Sequence, residues 1–223
     1  VLVLAAAPPA LCLTPEEARL AVSVRRTETT LLRFLEQLVN QNSGSRNPPG
    51  IARIRQRVAG TLRSLGFRLE LVDPGPVQVD EVNERLEVVT RAVQHGGHLV
   101  AVRESGADAP RILVFGHLDT IFEPDHPFQE LEHQGRYLHG PGVADDKGGI
   151  VVLLMALKGL QEAGLLEHMN LVVILNGDEE ITSLSSRALF EERGRTADYA
   201  LGLEPGEPSG DGASTIVKGR KGI

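Results

Sequence analysis

The chain has 223 residues, 41% hydrophobic and 24% charged, the balance of a globular protein with a sizeable core. Lysine and arginine total 23 against 30 acids, giving −7, and no basic run or basic-aromatic stripe is present, which argues against a nucleic-acid surface. Cys12 is the sole cysteine, which excludes an internal disulfide and a thiolate zinc cage. Any metal must then be held by histidine and carboxylates, a choice that favours a catalytic over a structural site.

Residues 1–13 stand apart. Val1–Leu4, Ala5–Ala7, Pro8, Pro9 and Ala10 read as the tail of an apolar targeting segment ending in small residues. The stretch is too short to span a membrane. It is taken as the remnant of a signal peptide or anchor, the mark of a secreted or periplasmic protein without a stable membrane span.

Thr14-Pro15-Glu16-Glu17 starts a helix, with threonine as N-cap, proline in the first turn and glutamate three residues after the cap. A second helical pattern places Leu31, Leu32, Leu35, Leu38 and Val39 on one face and stops in the Asn40–Pro49 loop. Ile51, Ile54, Val58, Leu62 and Leu65 form another stripe, closed by Gly66. Phe67, Leu69 and Leu71 alternate as a half-buried strand. Leu86–Val93 and Leu99–Val102 flank His95-Gly96-Gly97-His98, which predicts a hairpin.

Arg111–Phe115 has the apolar run of a central strand, and Leu171–Leu175 has another. Between them Ile150–Ala163 reads as an apolar helix ended by Gly164. Ser185–Arg193 is helical in pattern, Tyr199–Leu203 is a short strand and Ser214–Val217 begins a further one. Interleaved helices and apolar strands indicate an α/β sandwich with a mixed sheet. Ligands of such sheets bind beyond the carboxyl ends of the strands.

Four chemistry-bearing segments lie at those ends. His117 and Asp119 follow Arg111–Phe115, and Asp145-Asp146 sits in the glycine-rich turn Gly140–Gly149 before a helix. Asp178-Glu179-Glu180 follows Leu171–Leu175, and Glu204-Pro205 follows Tyr199–Leu203. Each has an ordinary explanation alone: turn aspartates, helix caps, a solvated acidic loop. In series, a histidine with several carboxylates is the donor set of a hydrolytic zinc centre, where one carboxylate shared between two ions about 3.5–4 Å apart is usual.

The segments Gly116–Thr120, His139–Gly149, Asp178–Glu180 and Leu203-Glu204-Pro205 resemble, in order and spacing, the family of carboxypeptidase G, acetylornithine deacetylase and succinyl-diaminopimelate desuccinylase. The similarity runs from about Glu28 to the chain end, and the Asp-Asp-Lys-Gly-Gly segment is most similar to the carboxypeptidase G branch. The resemblance implies a three-layer zinc-exopeptidase-like domain with a mixed, mostly parallel sheet and two Zn2+ per full-length subunit. It implies that His117 and Glu204 hold one zinc, Glu180 the other, and Asp145 both. Glu179 becomes the general base that takes a proton from the attacking water and passes it to the leaving nitrogen, and Asp119 buttresses His117. The Asp145–Asp146 peptide is often cis in this family.

By the same resemblance, residues 14–213 form an incomplete catalytic domain and 214–223 open a lid domain, through which a full-length protein would form a homodimer. The family's final zinc-binding histidine has no counterpart in these residues, so the chain reads as truncated at both ends and weak or inactive by itself. His95, His98, His126, His133, His139 and His168 match no family motif and read mostly as loop or surface residues. Thr182 and Ser185 stand where the family has glycines, positions suited to positive φ. The implied activity is exopeptidase cleavage, of carboxypeptidase type, of a small peptide or acyl-amino acid. An N-acyl amino-acid deacylase with the same site and an inactive zinc-binding relative are the alternatives.

Overall fold

The computed structural model describes residues 13–206 except Ala107 and Arg136. The expectations for residues 1–12 and 207–223, including the strand at 214–217, lie outside the described residues. Helix α1 (Pro15–Val39) opens with the predicted capping box: Glu17 N–H donates to Thr14 Oγ1 at 3.2 Å and Thr14 N–H to Glu17 Oε2 at 2.7 Å. The two helical patterns of the sequence are one 25-residue helix. Ser23, Thr27, Leu31, Leu35 and Leu38 share a single buried face, and no glycine or proline intervenes to break it. Helix α2 (Pro48–Ser64) starts at Asn47, whose Oδ1 accepts from Gly50 N–H, and ends before Gly66 at φ 82°.

Among the described residues, five strands build the central sheet in the order β1 (Arg68–Val72), β4 (His98–Arg103), β8 (Asn170–Asn176), β5 (Arg111–His117), β9 (Tyr199–Gly202). The β1–β4 and β4–β8 ladders are antiparallel, whereas β8–β5 and β5–β9 are parallel. The sheet is mixed as expected, and its ladders among the described strands are evenly divided rather than mostly parallel. Two small antiparallel ribbons, β2 (Val77–Val82) with β3 (Val88–Val93) and β6 (Glu132–Gln134) with β7 (Tyr137–His139), lie outside it.

The hairpin predicted around His95–His98 does not form. β3 turns back on β2, while β4 leaves the glycine pair to enter the central sheet between β1 and β8. Burial explains the choice: β4 is buried through Val102, so it needs neighbours on both edges and cover on both faces, whereas β3 is largely exposed.

Alternation along β8 divides the core. Leu171, Val173 and Leu175 pack with α1, α2 and α3 (Lys147–Glu162) on one face. Val172 and Ile174 join Leu189 and Phe190 of α4 (Arg187–Gly194) on the other. The result is three layers, with α3 ended by Ala163 and Gly164 at φ 72°. Because β5, β8 and β9 run parallel, with His117 opposite Asn176 and Phe115 opposite Gly202, their carboxyl ends open on the same side.

Candidate metal centre

His117 is the last residue of β5 and is completely buried. Its Nε2 lies 2.7 Å from Asp145 Oδ1 and 3.6 Å from Glu204 Oε1. One ligand atom from each of His117, Asp145 and Glu204 lies within 4.8 Å of the others, the one such group among the described residues. Three distant segments thus converge: the end of β5, the turn into α3, and the residues just past β9. The Asp145–Asp146 peptide that brings the first aspartate here is cis.

Glu180 is not part of that trio. It lies with Glu179 in a short 3-10 turn (Glu179–Ile181) beyond β8. Asp119 ties the turn to β5. Its buried carboxylate accepts Glu179 N–H on Oδ1 at 3.1 Å and Glu180 N–H on Oδ2 at 3.2 Å. Oδ1 also stands 3.4 Å from His117 Nδ1, which is 3.1 Å from the Asp119 carbonyl oxygen. Asp119 therefore touches both the histidine and the paired glutamates.

Two supports were not visible in the sequence. Ser45 Oγ donates to Asp119 Oδ2 at 2.8 Å, and the loop carrying it pairs backbone with Thr120. Asp146, buried beside Asp145, accepts His117 N–H at 3.2 Å. Gly116 and Gly149 make room for it, since a Cβ at either would fall 2.0 Å from an Asp146 carboxylate oxygen. Lys147 is buried with its ammonium on Gln41 O at 3.1 Å, and burial lowers it to about 7. His95 and His98, read as loop or surface residues, are buried at 2% and 0% exposure. The unusual His-Gly-Gly-His spacing was the signal available for them.

The electrostatics are those of crowded acids. Burial and the charge of Asp145 push Glu180 up to about 7. Burial likewise raises Glu179, Glu204 and Asp146, the last to about 7 against the pull of His117. Burial works against an imidazolium at His117, but Asp119, Glu204 and Asp146 carry it up to about 10. A divalent cation would relieve this repulsion, and the donors present, one imidazole nitrogen and two carboxylates, suit it.

Residues 113–218 match Peptidase family M20/M25/M40. Over those residues the chain is similar to an M20 peptidase-family domain. Among curated M20 relatives, it is 31% identical to carboxypeptidase G2 of Pseudomonas sp. (strain RS-16), over 80% of this chain and 39% of that protein. It is 29% identical to succinyl-diaminopimelate desuccinylase of Variovorax paradoxus, over 86% of this chain and 47% of that protein. The chain thus spans less than half the length of these curated relatives. The fold matches that of human carnosine dipeptidase 1 with a TM-score of 0.66, at 22% identity, over 83% of this chain and 40% of the other.

Proposed function

We propose that this M20-like domain belongs to a zinc-dependent hydrolase that cleaves an amide bond in a small peptide or acyl-amino acid. The observation that carries the reading is the convergence of His117, Asp145 and Glu204 within 4.8 Å, beside a turn that presents Glu179 and Glu180. His117, Asp145 and Glu204 would hold one ion, with Glu180 and Asp145 serving a second. A bound zinc supplies Lewis acidity, polarising the substrate carbonyl and acidifying water. Glu179, raised by burial and by neighbouring Asp119, Asp145 and Asp178, is suited to take the proton of the attacking water and hand it to the leaving nitrogen. Asp119 keeps His117 and the Glu179 backbone in fixed relation while this happens. A carboxypeptidase preference belongs to the same proposal, supported by the similarity to carboxypeptidase G2; secretion belongs to it on the apolar 1–13 segment, and dimerisation on the family resemblance alone.

Zinc content and hydrolysis of C-terminal glutamyl peptides and acetylated amino acids, measured on the full-length protein and compared for wild type, Glu179→Gln and Glu204→Gln, test the reading. Glu179→Gln is expected to keep its zinc and lose turnover, and Glu204→Gln to lose zinc. Near-normal turnover by Glu179→Gln would overturn the assignment. Bound zinc without hydrolysis of either substrate class would favour the inactive relative.

A further inference from the structure

Behind the Asp178–Glu180 turn lies a polar cluster that the roles above leave unused: the buried His95, His98 and Asp178, with the half-buried Ser185. His98 Nδ1 accepts the Gly177 N–H at 3.1 Å. A ring nitrogen that accepts carries no proton, so the neutral ring holds its proton on Nε2. That nitrogen faces Ser185 Oγ at 3.1 Å, and burial holds His98 below its ordinary value, favouring the neutral ring. Ser185 Oγ therefore accepts from His98 and donates to Asp178 Oδ2 at 2.7 Å. The same oxygen accepts Ser185 N–H at 2.7 Å and Ser186 N–H at 3.3 Å, with His95 Nδ1 at 3.4 Å. Asp178 Oδ1 accepts from Asn176 Nδ2 at 3.1 Å.

The residue types are those of a serine nucleophile site, but the bonding is not. In such a site the histidine accepts from the serine and the aspartate holds the histidine. Here the histidine nearest the serine, His98, donates to it and has no remaining acceptor, while the serine proton goes to Asp178 at 2.7 Å in preference to His95 Nδ1, which lies farther off at 3.3 Å. The cluster is also poorly placed to bind a cation, since both Asp178 oxygens are already occupied by donors. What it does is hold the turn from behind. Asp178 is pinned by Ser185, Ser186 and Asn176, while Asp119 pins the next two residues from the front. Between Glu180 and Ser185, the nearest residues held by these two carboxylates, Thr182 and Ser183 take φ of 80° and 55°, uncommon for residues with a side chain.

We propose that His98 and Ser185 are positioning residues for Glu179, setting the turn that presents it through the buried carboxylate of Asp178. Ser185 is then a working part: a glycine there would have no hydroxyl to accept from His98 and donate to Asp178 at once. The proposal rests on the reading of Glu179 as the proton-transfer group.

Site-resolved hydrogen exchange on the purified full-length protein, metal-free and zinc-loaded, tests it, using Ser185→Ala, His98→Ala and His98→Gln. Glutamine retains an N–H donor near the position of Nε2. In both alanine variants the Glu179 and Glu180 amides should exchange at least about tenfold faster, with the Leu171–Leu175 amides unchanged. Zinc content should stay at wild type, kcat should fall by about tenfold or more with KM nearly constant, and His98→Gln should recover most of both effects. Unchanged exchange at Glu179 and Glu180, equal acceleration through Leu171–Leu175, or a His98→Gln as impaired as His98→Ala would each overturn it. Turnover by Glu179→Gln would instead sink the underlying reading. A dead Glu179→Gln beside fully active Ser185→Ala and His98→Ala would sink the positioning alone.

Discussion

Replacing Asp119 by asparagine changes one oxygen to an amide nitrogen and should cost more than its size suggests. The carboxylate is completely buried and accepts three hydrogen bonds, from Glu179 N–H, Glu180 N–H and Ser45 Oγ. An asparagine can keep an oxygen toward only one of its two sides. If its nitrogen takes the Oδ2 side, the Ser45 hydroxyl can rotate to accept, but Glu180 N–H loses its partner. If it takes the Oδ1 side, Glu179 N–H does. A hydrogen bond to a charged group contributes about 1.5–3 kcal/mol, and an unpaired buried donor costs a comparable amount. In a domain of this size that is a fall in Tm of about 3–12 °C. Calorimetry or thermal circular dichroism in chelator, with the metal contribution removed, measures it directly. Ser45→Ala is the control: it removes one of the three bonds and leaves both backbone donors paired, so its loss should sit at the low end of that range, about 1.5 kcal/mol. An Asp119→Asn protein as stable as wild type, or a Ser45→Ala as damaging, would refute the accounting.

Three further outcomes are expected. Ile174, on β8 and fully buried against the α4 side of the sheet, should lose about 2–5 kcal/mol on truncation to alanine, measured by urea unfolding. Thr182→Gly relieves a left-handed φ of 80°, and should leave stability unchanged or raise it by up to about 1 kcal/mol in the same assay, the gain offset in part by the freer unfolded chain. The pH dependence of the metal-free protein follows from Asp146, raised from 3.8 to about 7. Its folded state holds a proton that the unfolded state has lost between those values, so its contribution is full below pH 3.8 and lost as pH rises through about 7. Melting curves across that range should show wild type declining relative to Asp146→Asn, and parallel curves would refute the shift.

Much of this molecule is legible in local pattern. The capping box at Thr14 and Glu17, the stripe closed by Gly66 and the apolar runs of β5 and β8 are written in neighbouring residues, because helix and strand periods are short. The acids at the strand ends stand out for the same reason: carboxylates that directly follow an apolar strand are conspicuous in one dimension. The likeness of their order to a hydrolase family then narrows the fold.

Pairing and convergence are different in kind. Periodicity says that β4 is buried but not that its neighbours are β1 and β8, since any apolar strand satisfies any other until the whole sheet is assembled. The approach of His117 to Asp145 and Glu204 depends on parallel β5 and β9 ending together and on the turn into α3 reaching them. The burial of His95 and His98, and the bonding of Ser185 to Asp178, follow from β4 entering the sheet instead of folding back on β3. Residue types and local elements were therefore set by the sequence alone. Which distant groups share a cavity, and so which acids repel and which histidines lose their water, was decided only when the three layers closed.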